Sequence, residues 1–393
     1  MSNTSSVMQQ PRVSVVMPCL NEEQTLAICL EKAKRALETL DMQGEIIVAD
    51  NGSTDASLDI ARAHQARIIQ ESKRGYGNVY RAGIAAARGE FIIIGDSDDS
   101  YDFGDIPRFV RELEKGYDVV MGNRFKGSIE KKAMPWLHRY IGNPLLTGVL
   151  NLFFRAGISD AHCGMRAFTR HAYDTMNLTT AGMEFASEMV IKAALSDLRM
   201  TEIPVTLYRD GRSGSPHLRS FRDGWRHLRF MLLYSPTHLF LWPGFTLFAL
   251  GLLIMIILLP GPFYFAGHNF DTHVMVLGSM LTILGFQIVL LGLYARIFAL
   301  THRFIKRDRQ LEQAFKFFNL ERGILAGGIV FLFGFVINLY ILITWISKDF
   351  GALDQVREAL FASTLIILGV QIVFSSFYMS LLGINQEPLN RNR

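Results

Sequence analysis

Four stretches of chain, 239–259, 274–294, 323–346 and 360–384, each run for about twenty residues with hardly a charge. An apolar helix of that length spans the hydrocarbon core of a bilayer. Four in succession are too many for the buried core of a soluble domain. The chain is therefore expected to fold in two parts, a charged soluble part up to about residue 235 and a membrane-embedded helical part after it. The composition of the 393 residues, 50% hydrophobic and 19% charged, averages over both. A net charge of +4 is too small to point to nucleic acid. Residues 1–10 are polar, so no secretory signal peptide is expected. Cys19, Cys29 and Cys163 show neither metal-ligand spacing nor a disulfide framework, which fits a reducing compartment.

The loops orient the spans. Between the second and third lie Arg296, Arg303, Lys306, Arg307, Arg309, Lys316 and Arg322, whereas residues 260–273 contain no Lys or Arg. The last loop has only Lys348 and Arg357 against Asp349, Asp354 and Glu358. Positive residues stay inside, so the middle loop, the soluble part and both termini are expected in the cytoplasm, with the spans forming two hairpins. Gly278, Gly285 and Gly292 recur every seven residues, which favours close helix packing over a lipid groove. No Asp, Glu, Lys or Arg lies near the middle of any span, which argues against a transporter. Just before the first span, SFRDGWRHLRFMLLYS (220–235) interleaves Arg222, Arg226 and Arg229 with Phe221, Trp225, Leu228 and Phe230. A helix of this kind suits a lipid headgroup interface; a charged surface helix is the plainer alternative.

In the soluble part, the β-rich runs VSVVMP (13–18), EIIVAD (45–50), ARIIQES, FIIIGD and DVVMGNRF (118–125) alternate with helical patterns. Such alternation implies a mostly parallel sheet covered by helices. Ligands of these sheets gather beyond the carboxyl ends of the strands, where Pro18, Asp50, Asp96 and Asn123-Arg124 are expected. In GDSDDSYDF (95–103), Asp96, Asp98 and Asp99 crowd the end of an apolar strand. Carboxylates so placed repel one another and lose hydration, so they call for a cation, most simply a divalent metal. GYGNVYRAG (75–83) lacks the third glycine of a dinucleotide fingerprint, no GxxxxGK[ST] is present, and the acidic cluster lacks the glycine and closing Glu of a calcium loop.

Taken in order, VVMPCLNEEQTL, VADNGSTD, GDSDDSYDF and DAHCGMRAF resemble the family 2 glycosyltransferases of GT-A fold. More narrowly they resemble the dolichyl- or polyprenyl-phosphate hexosyltransferases, over about residues 12–235. The resemblance implies a flexible N-terminus (1–11), a Rossmann-like α/β GT-A catalytic domain (12–219), an interfacial amphipathic helix (220–237), an all-α membrane domain of four transmembrane helices in two hairpins (238–385) and a cytoplasmic tail (386–393). It places Pro18, Leu20, Glu22 and Asp50 around the nucleoside, and Asp96 and Asp98 as the DxD pair that holds Mg²⁺ or Mn²⁺ on the donor diphosphate. It places Arg124 and Arg139 at the acceptor phosphate. An arginine of the 209–219 loop lies over the diphosphate, Arg212 with Arg209 and Arg219 as rivals. Asn51 and Ser100 receive no ligand role.

The activity so implied is inverting transfer of a hexose from UDP-glucose or GDP-mannose to a polyprenyl or dolichyl phosphate at the cytoplasmic face of the membrane. That acceptor is already anionic, so no general base is needed. Its partners are the nucleotide-sugar, the prenyl phosphate and the bilayer, with no nucleic acid; the oligomeric state is left open. Two alternatives stand beside it. One is a polysaccharide synthase with a non-lipid acceptor, for which MEFASEM (183–189) offers Glu184 and Glu188 although no QxxRW element is present. The other is a non-catalytic membrane scaffold.

Overall fold

The computed structural model describes residues 10–211, 220–301, 320–352 and 354–383, and the chain divides into two compact units, Met1–Met231 and Leu232–Arg393. In the first unit, β1 (Val13–Cys19), β2 (Gly44–Asp50), β3 (Arg67–Gln70), β4 (Phe91–Ile94), β5 (Val119–Ile129), β6 (Arg166–Thr169) and β7 (Met200–Leu207) form one sheet of order β3-β2-β1-β4-β6-β5-β7. All neighbours are parallel except β6, which is inserted antiparallel between β4 and β5. This is the mostly parallel sheet of a GT-A domain. β1 and β4 are buried nearly throughout, as continuous Val/Ile runs covered on both faces should be.

The connecting helices are α1 (Leu26–Glu38), α2 (Ser57–Ala63), α3 (Tyr76–Ala86), α4 (Ile106–Glu114), α5 (Asn143–Phe154), α6 (Arg170–Met176), α7 (Phe185–Leu195) and α8 (Ser220–Leu233). On α1 the stripe Leu26, Cys29, Leu30, Ala33 and Leu37 has the spacing of one helical face and packs into the core with Val15, Met17, Phe103 and Phe109. The acidic NEEQ segment precedes this helix rather than opening it. Asn21 sits at φ 59° and its Oδ1 accepts the Thr54 amide at 2.8 Å, so it fastens the turn after β2 instead of capping α1. Cys19, Cys29 and Cys163 are free and buried.

The second unit contains α9 (Trp242–Leu258), α10 (Thr272–Thr301), α11 (Leu320–Ser347) and α12 (Val356–Gly383). Thr237–Leu258, Thr272–Phe298, Leu320–Ser347 and Val356–Leu382 are long and apolar enough to cross a membrane. Each outruns its apolar stretch at one end or both, because a helix does not stop where its hydrophobic residues do. The glycines at seven-residue spacing on α10 meet α9. A side chain at Gly285 would overlap the Phe248 amide, and one at Gly278 would lie 2.8 Å from Ile254 Cγ2. Small residues here allow backbone-to-backbone packing, the main source of attraction between helices in lipid. Gly334 and Gly369 do the same between α11 and α12. The two hairpins are joined by Ser279–Thr364 at 2.7 Å and Tyr294–Ser375 at 2.6 Å, and by an Arg357–Asp271 ion pair. A short hairpin of β8 (Phe263–Phe265) and β9 (His268–Phe270), not foreseen in the sequence, links α9 to α10.

Candidate active site

Just beyond β4 the acidic segment is tied down residue by residue. Ser97 Oγ donates to the Pro18 carbonyl, and Thr25 Oγ1 donates to the Ser97 carbonyl at 2.7 Å, so the turn is fastened to the end of β1. Asp96 accepts two phenol hydroxyls on Oδ1, from Tyr76 at 3.0 Å and Tyr80 at 3.1 Å. These tyrosines lie four apart on α3 and so share a face. Burial raises the Asp96 carboxyl to about 6, and repulsion from Asp98 adds to the rise. Asp98 Oδ1 is oriented by the Ser100 amide at 3.1 Å and hydroxyl at 2.6 Å. Asp99, at φ 59°, turns away to pair with Lys32 at 2.8 Å.

Two of the three carboxylates are thus left side by side, the donor set that a hard divalent cation prefers. Burial and the neighbouring Asp98 make the Asp96 charge costly, which an added cation would relieve, so the pair fits Mg²⁺ or Mn²⁺. Among the described residues no group of three or more His, Cys, Asp or Glu could hold a metal. Gly164 closes over the pair: a Cβ there would overlap Asp96 Oδ2.

The residues expected around a nucleoside lie alongside. The β1–β2 register pairs Pro18 with Ala49 and Cys19 with Asp50. Pro18 and Leu20 are partly exposed; Glu22 is buried, its amide donating to Ser57 Oγ at 2.8 Å. The Asp50 carboxylate accepts the Gly52 and Ser53 amides, each at 3.0 Å, and so shapes the turn that borders the crevice. Asn51 is spent on structure: its amide donates to the Glu71 and Lys73 carbonyls and its oxygen accepts the Gly75 amide.

The arginines differ from expectation. Arg124 lies within β5 rather than at its end, because the strand continues past a register break to Ile129. Its guanidinium is bidentate to buried Asp160, Nε at 2.8 Å and Nη2 at 2.7 Å, and its amide donates to the same carboxylate at 3.0 Å. Arg139 lies in a π-helical turn, His138–Gly142, with its guanidinium 5.5 Å from the Tyr140 ring centre; no carboxylate among the described residues pairs with it. Arg212 and its rival Arg219 lie outside the described residues; Arg209 is exposed. The chain enters that loop bound to the acidic segment, the Tyr208 amide donating to the Ser100 carbonyl at 2.9 Å and the Gly211 amide to the Asp98 carbonyl at 3.0 Å.

Several contributors were not singled out from sequence. Tyr76 and Tyr80 were visible only as part of a rejected glycine motif. Arg166 is buried and donates to the carbonyls of Ala161, Cys163 and Ala186 at 2.9, 2.8 and 2.7 Å, bracing the loop that carries Asp160 and Gly164. Trp136, Tyr140, Ile141, Leu145 and Leu152, in and just before α5, are all exposed, an apolar surface flanking Arg139. Of the two glutamates in MEFASEM, Glu188 is buried and accepts the amides and hydroxyls of Thr179 and Thr180, a structural post. Glu184 Oε2 is buried with no hydrogen-bond partner among the described residues.

Residues 14–176 match the model of glycosyl transferase family 2, and residues 293–383 match the family 2 C-terminal transmembrane region. The low-salt glycan biosynthesis hexosyltransferase Agl6 of Haloferax volcanii is 40% identical over 95% of this chain and 89% of its own. The chain belongs to glycosyltransferase family 2. Another family 2 relative from that organism, a dolichyl-phosphate hexose transferase, is 31% identical over 54% of this chain and 89% of its own. Among solved structures, glucosyl-3-phosphoglycerate synthase from Mycobacterium tuberculosis in complex with Mn²⁺ and UDP-glucose resembles this family 2 enzyme at 20% identity and TM-score 0.46, over 56% of this chain and 78% of that one.

Proposed function

We propose that this glycosyltransferase moves a hexose, with inversion, from UDP-glucose or GDP-mannose to a polyprenyl or dolichyl phosphate at the cytoplasmic face of a membrane. The observation that carries this reading is the oriented pair Asp96 and Asp98 at the end of β4, where burial and mutual repulsion make the Asp96 charge costly and an added cation would relieve it. When bound there, Mg²⁺ or Mn²⁺ supplies neutralisation for a departing nucleoside diphosphate. Tyr76 and Tyr80 keep Asp96 aimed, and Ser100 keeps Asp98 aimed, so neither carboxylate must reorganise during transfer. Pro18, Leu20, Glu22 and Asp50 hold the nucleoside at the ends of β1 and β2. The resemblance assigns Arg212 to the diphosphate; it lies outside the described residues, which end at Gly211 in this stretch.

The acceptor is favoured by three features. A relative bears the name dolichyl-phosphate hexose transferase. Arg139 sits within an exposed apolar surface that includes Trp136 and Tyr140, a setting for a charged headgroup on a lipid. Arg124, its charge balanced by Asp160, helps position a phosphate without quenching its nucleophilicity, and Arg139 supplies the charge. The phosphate oxygen attacks the anomeric carbon as the diphosphate leaves from the opposite face, so an α-linked donor gives a β-linked product. The basic residues after α10 put the catalytic unit and both termini in the cytoplasm.

One observation favours a second reading. The Glu184 oxygen that has no partner among the described residues lies at the start of α7, and the next residue, Phe185, stacks on Tyr80 at 5.6 Å. A carboxylate so placed suits a general base for a hydroxyl acceptor. Glu184→Gln separates the two: transfer to a lipid phosphate survives within about tenfold, whereas transfer to a hydroxyl falls by about 10²–10⁴.

A further inference from the structure

His162 sits at the centre of the loop that joins the two halves of the candidate site. Two residues before it, Asp160 grips Arg124; two residues after it, Gly164 closes on Asp96. The loop therefore sets the spacing between the acceptor-side cation and the metal-side carboxylate. Arg166 braces the backbone on either side of His162, at the Ala161 and Cys163 carbonyls, and the His162 side chain is tied elsewhere. Its Nε2 lies 3.3 Å from Ser187 Oγ on α7, and the same hydroxyl lies 2.8 Å from Nδ1 of His227 on α8. The two imidazoles meet edge to face with ring centres 4.7 Å apart.

α8 shows two different faces. His227 and Met231, four residues apart, are buried, whereas Arg222, Trp225, Arg229 and Leu233 are exposed. The outward set mixes guanidinium and apolar groups, as a lipid headgroup region requires. The inward set reaches the loop through the Ser187 hydroxyl and the ring contact of His227 with His162. Ser187 has one proton to give and must receive the other hydrogen bond, so one ring meets its hydroxyl as an N–H donor and the other as an acceptor. Burial, with the charges of His227, Arg166 and Arg124, holds His162 well below the usual imidazole value, so His162 enters the bridge as a neutral ring. His162 Nδ1 is buried without a partner among the described residues, a desolvation cost that an apolar side chain would not incur.

We propose that His227, Ser187 and His162 form a positioning relay through which the seating of α8 holds the 158–165 loop in register with Arg124 and Asp96. None of the three touches a reacting atom. The relay predicts that the lipid-facing helix controls how the acceptor is aligned, a consequence that rests on the lipid-phosphate reading above, whereas the coupling from α8 to the loop does not.

The test uses the full chain in vesicles, with Ser187→Ala, His227→Ala and His227→Asn, whose amide nitrogen falls near the imidazole Nδ1. Amide exchange across residues 158–165 is expected to quicken at least tenfold in the two alanine variants and to return towards the parent rate in His227→Asn. KM for polyprenyl phosphate is expected to rise about tenfold with KM for the nucleotide-sugar within twofold, again restored by His227→Asn. General loss of folding would lower kcat for every substrate and would not be rescued. Unchanged exchange in the loop, or equal loss in His227→Asn and His227→Ala, overturns the relay. Quickened exchange in the alanine variants, with a parent enzyme that transfers nothing to polyprenyl phosphate, keeps the relay and removes the acceptor reading instead.

Discussion

Replacing Asp96 by Asn should make the metal-free enzyme more stable while removing its activity. An acid whose pKa is raised by folding, here from 3.8 to about 6, costs stability as the pH climbs through that window and costs nothing below it. Two units correspond to about 3 kcal/mol at pH 7, and screening at the partly exposed carboxyl brings this to about 2 kcal/mol. Asn keeps an oxygen for the Tyr76 and Tyr80 hydroxyls but carries no charge to repel Asp98. For a unit of roughly 200 residues, 2 kcal/mol is a shift of about 4–8 °C in Tm. Thermal unfolding of the full chain in EDTA at pH 7.5 should show Asp96→Asn melting higher than the parent by that amount, and the difference should vanish near pH 4. Adding Mg²⁺ and UDP should stabilise the parent and not the variant. A variant that melts lower than the parent in EDTA at pH 7.5 would refute the argument that the Asp96 charge is held at a cost.

Arg124→Ala strands the fully buried Asp160 and should cost about 3–5 kcal/mol, whereas Arg124→Ala with Asp160→Asn should recover most of it; thermal melts of the three proteins decide. Any activity assay on Arg124 alone therefore needs the double variant as its control. Glu188→Gln should destabilise by about 2–3 kcal/mol, since it loses charge-assisted bonds to Thr179 and Thr180, yet leave turnover per folded molecule within a few-fold. Burial alone would raise the Glu188 carboxyl, but Lys192 and Thr180 bring it below its usual 4.5. The stability it contributes is therefore present above pH 4.5 and lost as the pH falls through the folded value. An acid melt that is less steep in Glu188→Gln than in the parent checks this.

The parts legible in the sequence were those with a local signature. Apolar runs and basic loops announced the spans, and a strand ending in carboxylates announced Asp96 and Asp98. What escaped depends on pairings between distant segments. Nothing near DVVMGNRF shows that Arg124 will be gripped by Asp160, because that contact forms only when β6 inserts antiparallel and carries its preceding loop alongside β5. Tyr76 and Tyr80 look like ordinary aromatic residues of a helix until Asp96 is placed opposite them. Nothing in NPLLTGVLNLFF shows that Leu145 and Leu152 are exposed, since periodicity reports a face and not what covers it. The positive φ at Asn21, which no local pattern announces, delays α1 to Leu26.

The most direct test of the account is to supply membranes bearing the full chain with labelled UDP-glucose or GDP-mannose, with and without polyprenyl phosphate, and to count label in the organic phase. One donor should give an extractable, β-linked product only when both polyprenyl phosphate and Mg²⁺ or Mn²⁺ are present, and Asp98→Ala should give none while still inserting into the membrane. Label that stays in aqueous polymer, or extractable product that forms undiminished in EDTA, would contradict it.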